Sequence, residues 1–408
     1  MSWKRRFGRS WGRLGMKSEW HEVPLRALVG FISKGITPSY ADGETETTIR
    51  VLNQKCNRNH HINYAESRLH DTAKKAVPVE RYLKPYDILI NSTGTGTAGR
   101  IAQIENIPCK TTVDGHMIIV RTSGLVTQKF LGYALKSHQT EILQLDEGST
   151  GQTELNRDRL LNEIVISYPD SISEQNAIVA ILEKIDQKLL TNQQINDHLQ
   201  QQAAELYKSW FVEFSSATTC KMIDSEIGEI PYGWRVYRLS EFLPVITGKK
   251  NANVSSEKGK YPFFSCSQDF SWTDDYSFEG HAILVAGNGD FNVKWYKGKF
   301  EAYQRTYVLI PREERYTSWL FYAIKYNLAK ITSAARGTVI KFITKGNLED
   351  FMFAAPADLS SCEIIDTFAA INRKIDCLIQ ENYRLAAIRN SLLPKLMGGE
   401  IDVTGIEI

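Results

Sequence analysis

From about Ser173 to Phe211 the chain carries neither glycine nor proline. Its apolar positions step by alternating threes and fours: Leu182, Ile185, Leu189, Leu199, Ala203, Leu206 and Trp210, with Asn192 and Asn196 set into the same seam. That period predicts a long helix with a narrow, coiled-coil-like stripe. Ser171 or Ser173 suits its start, with Glu174 and Gln175 in the first turn. Roughly forty residues at about 1.5 Å each make a rod of about 60 Å. The pattern then returns. Phe368, Ile371, Ile375, Leu378, Asn382, Leu385, Arg389, Leu392 and Leu396 form a second seam, beginning near Cys362 and expected to end at Pro394 and Gly398-Gly399. Ile185, Lys188, Gln194, Asn196, Leu199 and Leu206 recur at one constant offset as Ile371, Lys374, Gln380, Asn382, Leu385 and Leu392. A polar seam residue costs stability and fixes register. Asn196 and Asn382, at equivalent places, therefore suit one rod pairing antiparallel with the other; the alternative is that each helix packs only on its own domain. Arg389 stands where Ala203 stands in the first seam, and its stem suits the seam with the charge at the edge.

Each rod follows a mixed segment with a tryptophan-led opening. Trp20-His21-Glu22-Val23-Pro24-Leu25 starts one, and Pro231-Tyr232-Gly233-Trp234-Arg235-Val236-Tyr237-Arg238-Leu239 the other. In the first, Asp87–Ile90, His116–Val120 and Glu163–Ile166 read as buried strands, and Phe130–Leu143 as a helix. In the second, Ile283–Val285, Tyr307–Ile310 and Phe351–Phe353 are strand candidates, and Ser318–Ile331 is the helix. The expected fold class is α+β or α/β: two small recognition-type domains joined by two long antiparallel helices, with pseudo-twofold symmetry. The segments are residues 1–16, a disordered basic extension; 17–170, the first domain; 171–214, the central helix; 215–357, a linker and the second domain; and 358–408, the C-terminal helix and tail.

Composition changes this picture little. Hydrophobic residues make up 42% and charged residues 24%, as in an ordinary globular protein. The net charge is only +2, so any nucleic-acid affinity must come from local basic patches. Six scattered cysteines without a C-x-x-C pair argue against a zinc site or a disulfide framework and fit a reducing cytoplasm. No segment approaches the ~20 apolar residues of a membrane span. The basic stretch before Met16 has no apolar run behind it and does not read as a signal peptide.

The candidate chemistry lies in polar loops. Gly94-Thr95-Gly96-Thr97-Ala98-Gly99 matches G-x-G-x-x-G after a strand, but Arg100–Ile104 reads as another strand rather than a helix. A glycine hairpin therefore fits better than a dinucleotide site. Ser92, Thr93, Thr95, Thr97 and Arg100 carry groups that hydrogen-bond phosphates and base edges. So do Gln54, Lys55, Asn57 and Arg58, beside His60-His61, and Thr150 with Gln152. In the second half Lys249, Lys250, Asn251, Asn288, Arg305, Arg336, Thr338 and Lys341 repeat the theme in other residues. For each the plain alternative is a solvated loop. The candidate helix-pairing residues are Ile185, Leu189, Asn196, Leu199, Leu206, Ile371, Ile375, Asn382, Leu385 and Leu392. No catalytic or metal-binding residue stands out. There is no Asn/Asp-Pro-Pro-aromatic tetrapeptide of an amino-methyltransferase, no Walker A sequence and no nuclease carboxylate–lysine cluster. A self-contained methyltransferase would need a cofactor domain, and a non-DNA scaffold would leave two dissimilar polar-loop domains unexplained.

Taken together, these pieces resemble the specificity subunit of type I restriction-modification enzymes, from about Lys17 to Ile401. Trp20-x-x-Val23-x-Leu25 and Gly233-Trp234-x-Val236-x-x-Leu239 resemble its domain openings. Tyr86-Asp87-Ile88-Leu89-Ile90 with Gly94 and Gly99-Arg100 resembles its recognition-domain core. Gln175-x-x-Ile178-x-x-Ile181-Leu182-x-x-Ile185-Asp186 resembles its central helix, and Ser391-Leu392-Leu393-Pro394-Lys395-Leu396-Met397 its C-terminal end. The second domain departs from the pattern, with Ala282-Ile283-Leu284-Val285-Ala286-Gly287 in place of the Asp-led run. The resemblance implies a cytoplasmic bacterial-defence subunit without catalysis of its own. Each domain would read one half of a split double-stranded DNA site, and the paired helices would set the gap. Its partners would be two methyltransferase subunits and the restriction translocase/nuclease subunits. S-adenosylmethionine, ATP and magnesium would be held by those partners, with no cofactor in this chain.

Overall fold

The structure is a computed structural model that describes residues 19–147, 153–256, 259–333 and 341–403. The chain divides into two compact units: Met1–Leu189 with Tyr383–Ile408, and Leu190–Asn382. The first unit is thus built from both ends of the chain. Thr150, Gln152, Arg336 and Thr338 lie outside the described residues, as does the basic extension.

In the first unit the tryptophan-led opening is a strand, Trp20–Pro24, paired antiparallel with Val165–Pro169 so that Trp20 faces Pro169. A four-stranded antiparallel sheet carries the core. Ile88–Asn91 pairs with Met117–Thr122, which pairs with Val29–Lys34, and Ile101–Gln103 closes the other edge. A second four-stranded sheet includes the parallel pair Thr111–Val113 with Thr48–Leu52. The helix expected over Phe130–Leu143 is two helices, Gln128–Ser137 and Gln139–Ile142, broken at His138. The strand expected at Glu163–Ile166 starts later. Asn156 Oδ1 accepts from the backbone N–H groups of Asp158 and Arg159 and so caps a helix over Arg157–Glu163, which buries Leu160 and Leu161.

The second unit repeats this plan. Trp234–Arg238 pairs antiparallel with Met352–Pro356, and Trp234 faces Pro356. A six-stranded sheet holds Val245–Thr247, Thr306–Leu309 and Phe278–Ala286 side by side, in the order of the first unit's Val29–Lys34, Met117–Thr122 and Ile88–Asn91. The predicted helix over Ser318–Ile331 is again two, Thr317–Tyr326 and Leu328–Ser333, broken at Asn327. His138 and Asn327 have nearly the same backbone angles, φ −93°, ψ 13° and φ −92°, ψ 11°. Where the strands carry an aspartate in the first unit, they carry alanine in the second, and a partner changes with it. Asp87 is buried and bonded at 2.7 Å through both oxygens to the Arg121 guanidinium. At the equivalent register stand Ala282 and Ile310, which pack in an apolar cluster. A buried ion pair in one unit is a hydrophobic contact in the other.

Two helices are long, Ile172–Phe211 with 40 residues and Ile364–Met397 with 34. The Ser171 hydroxyl accepts from the Glu174 N–H at the first helix's start. In the first unit Ile178 and Leu182 share a core with Leu392, Leu396 and Met397, and Arg389 Nη1 bonds Asp186 Oδ1 at 3.0 Å. In the second unit Asn192 Nδ2 donates to Asn382 Oδ1 at 2.8 Å, and the Phe211 and Phe368 rings lie 6.3 Å apart. Within the second unit one helix therefore ascends as the other descends. Leu206 and Ile371 pack on the second unit's core, which holds Phe211 and Phe368; Ile375 is buried; and Ile185, Leu189, Leu199 and Leu385 are half-buried. The polar seam contact is between Asn382 and Asn192, whereas Asn196 is buried with its Oδ1 unpartnered among the described residues.

Pro394 does not end the second helix, because it sits in the last turn and removes only one intrahelical bond. Gly399 ends it. Its φ of +71° turns the chain left-handed, the Glu400 N–H reaches back to Lys395 O at 2.9 Å, and a Cβ there would lie 2.7 Å from the Trp20 ring. In the second unit Phe214, φ +53°, follows the first helix and packs its ring edge on Trp234 at 5.2 Å. Each leading tryptophan thus covers the end of a long helix.

Candidate nucleic-acid interface

In the first unit one end of the antiparallel sheet gathers four separate segments. The glycine hairpin between Ile88–Asn91 and Ile101–Gln103 begins at Ser92, whose N–H donates to His116 O at 2.8 Å and whose carbonyl accepts from the Leu155 N–H at 2.8 Å. Thr93 bridges Glu154, and the Gly94 N–H donates to Thr153 O at 3.1 Å. The strand after Gly99 excludes the helix N-terminus that a pyrophosphate site requires. At the surface of this frame the side chains form a chain of contacts. Thr93 Oγ1 lies 2.7 Å from His116 Nδ1 and 3.1 Å from Gln54 Oε1, to which it donates. Thr95 is exposed, Thr97 Oγ1 turns back to Thr93 O, and Arg100 caps Gly96 O at 3.2 Å. Lys34 pairs with Glu154 alongside.

Some expected readers are structural instead. Asn57 is fully buried, and its Nδ2 donates to Asn91 Oδ1 at 3.1 Å and to Arg100 O at 2.9 Å. Ser92 is fully buried, with its hydroxyl on Gly115 O. The Asn57 amide N–H groups and the Ser92 hydroxyl are spent on partners inside the protein, while Asn57 Oδ1 has none among the described residues. The neighbouring Asn59-His60 is a hairpin turn, both residues at positive φ (52° and 65°), and His60 Nδ1 lies 2.9 Å from Ile101 O. Burial holds that imidazole below its ordinary pKa. Lys55 and Arg58 remain exposed.

The second unit builds the same frame from different residues. The Gly287 N–H donates to Arg305 O at 2.8 Å, the Ile343 N–H to Gly287 O at 3.0 Å, and the Gly289 N–H to Lys341 O at 3.3 Å; Asn288 bridges Phe342. Ser92, Thr93, Gly94, His116, Thr153 and Leu155 therefore correspond to Gly287, Asn288, Gly289, Arg305, Lys341 and Ile343. The Gly248 N–H donates to Thr306 O and the Lys249 N–H to Ala302 O, as those of Gly35 and Ile36 do to Met117 O and Val113 O. Both glycines are required: a Cβ on Gly35 would lie 2.1 Å from Val113 O, and one on Gly248 2.2 Å from Tyr303 O. This frame brings together Lys249, Lys250, Asn288, Arg305 and Lys341, which are far apart in sequence; Asn251 follows, exposed. The first unit's tips are mostly neutral, and the second unit's are basic. Sequence reading missed His116. It follows the Asp114-Gly115 turn as a lone histidine, and only the backbone frame aligns it with Arg305.

Two copies of one backbone frame, each presenting different polar side chains at one end of its sheet, define a duplicated recognition scaffold. The chain belongs to the family described as the type I restriction modification DNA specificity domain, which it matches over residues 17–201 and 231–385. It is 35% identical over 178 residues to the specificity subunit of the type I restriction enzyme EcoDI from Escherichia coli. That stretch is 43% of this chain and only 40% of the relative's length. Against the type I restriction enzyme MjaIX specificity subunit of Methanocaldococcus jannaschii the identity is 25% over 325 residues, 72% of this chain and 73% of the relative. A solved structure, the type I restriction-modification system S subunit from M. genitalium, covers 94% of this chain and 98% of its own with a TM-score of 0.57; at 16% identity the likeness is one of fold.

Proposed function

We propose that the chain is the DNA specificity subunit of a type I restriction-modification complex, and that each unit reads one half of a bipartite duplex site. The observation that carries this reading is the repeated backbone frame with unlike tips. A shared frame holds each set of side chains in one pose, and the differing side chains give each half its own sequence. Sequence is read by hydrogen bonds to base edges, while phosphate contacts position the protein. Gln54, Thr93, Thr95 and Thr97 on one side, and Lys249, Lys250, Asn288, Arg305 and Lys341 on the other, supply both kinds of group. The two long helices pair as an antiparallel coiled coil with pseudo-twofold symmetry. They set the gap between half-sites, and their outer faces dock two methyltransferase subunits. Methyl transfer from S-adenosylmethionine, and ATP- and magnesium-dependent translocation and cleavage, belong to those partners and the restriction subunits. This chain contributes positioning alone.

The test is binding by the purified chain with its methyltransferase partner to a random pool of duplex DNA at several salt concentrations. Enrichment of one split motif, with affinity falling steeply as salt rises, is the expected result. Retention of no DNA in a salt-sensitive manner would contradict it.

A further inference from the structure

The two frames align residue by residue, and at one pair of positions outside the core the chemistry differs between them. Thr93 and His116 in the first unit stand where Asn288 and Arg305 stand in the second. In both units the backbones of these residues are tied into the frame. Their side chains are not used to hold it: His116 and Arg305 are exposed, and Thr93 and Asn288 half-buried. We infer that these two pairs are the principal base-reading positions of the molecule, and that Arg305 reads a guanine in one half-site. The inference rests on the reading of the chain as a DNA specificity subunit and assigns which residues carry the specificity.

The chemistry of the two pairs differs in kind. Thr93 Oγ1 lies 2.7 Å from His116 Nδ1 and 3.1 Å from Gln54 Oε1, which holds the imidazole ring through Nδ1 and leaves its Nε2 unbonded among the described residues. That presents one pre-oriented ring edge. Arg305 makes no side-chain hydrogen bond or ion pair among the described residues, and neither does Asn288. A guanidinium is a planar fork of donors that matches the O6 and N7 acceptors of guanine, and an Asn amide matches adenine N6 and N7. Adjacent Lys341, Lys249 and Lys250 carry charge without that planarity, which suits phosphates better than base edges. Placed beside one another by a rigid sheet end, Asn288 and Arg305 form a two-residue reader flanked by phosphate clamps. Thr93 and His116 form the corresponding reader of the other half.

The experiment selects bound duplexes from a random pool with the full chain and its methyltransferase partner, comparing wild type, R305A, R305K and the paired exchange T93N/H116R. For R305A the expected result is loss, by about five- to a hundredfold, of preference for one guanine in one half, with the other half and the gap unchanged. R305K keeps the charge and lacks the fork. It is expected to lose the same guanine while retaining wild-type salt dependence. T93N/H116R is expected to change only the opposite half. Melting curves equal to wild type confirm that the exposed substitutions leave the fold intact. A wild-type motif retained by both Arg305 variants, or one lost from both halves together, overturns the assignment. Failure of the wild-type complex to select any split motif overturns the underlying DNA-specificity reading as well, and so separates the two failures.

Discussion

Replacing Asp87 by alanine strands the Arg121 guanidinium, which then keeps only its bonds to the carbonyls of Glu80 and Tyr82. Breaking a buried pair by removing one partner costs about 3–5 kcal/mol. Because the second unit already holds Ala282 and Ile310 at these positions, D87A/R121I should recover most of that loss. Urea unfolding of the single and double variants measures it; a double variant no more stable than D87A would contradict the equivalence. Asp87 was legible in the sequence as the head of the first domain's Asp-led run, but its partner was not. Arg121 is 34 positions away and meets Asp87 only because their strands pair. The same limit explains Asn57. An asparagine among Gln, Lys and Arg looks like a base reader, and only the fold reveals that its side chain is buried with its amide nitrogen bonded inside the protein.

The long helices were the clearest elements in the sequence, since forty residues of unbroken period leave little ambiguity. Their ends were less clear. Pro394 looked like a stop, yet a proline in the last turn forfeits a single bond. The stop is Gly399, in the Gly398-Gly399 pair also expected to end the helix, and its left-handed turn and missing Cβ make room for Trp20. G399A should lower the stability of the first unit by about 1–3 kcal/mol, through the positive φ and the clash together. Thermal melting checks it, and an unchanged midpoint would remove the tryptophan-to-helix contact from the account. At the same scale, inserting seven residues into each long helix keeps the heptad period. Selection of bound DNA should then return both half-sites unchanged at a wider spacing. A changed half-site would contradict the helices' role as spacer.

At the scale of the whole chain, the sequence displayed duplication in its helices and in the two tryptophan-led openings, and concealed it in the rest of its domains. The helices repeat side chains because seam packing constrains them. The domains repeat backbone hydrogen bonds, which almost any side chain permits, so the equivalence of Ser92 with Gly287 or His116 with Arg305 leaves no mark in the residues. That separation lets one shared frame carry two unlike sets of side chains in a chain whose family membership is established over both halves. The most direct measurement is a genome-wide methylation map of the source cell with and without this gene. The expected result is the disappearance on deletion of one split motif, whose two halves and gap are read at once. A methylation map identical in both cells, with the partner methyltransferase present and active, would contradict the assignment of DNA specificity to this chain.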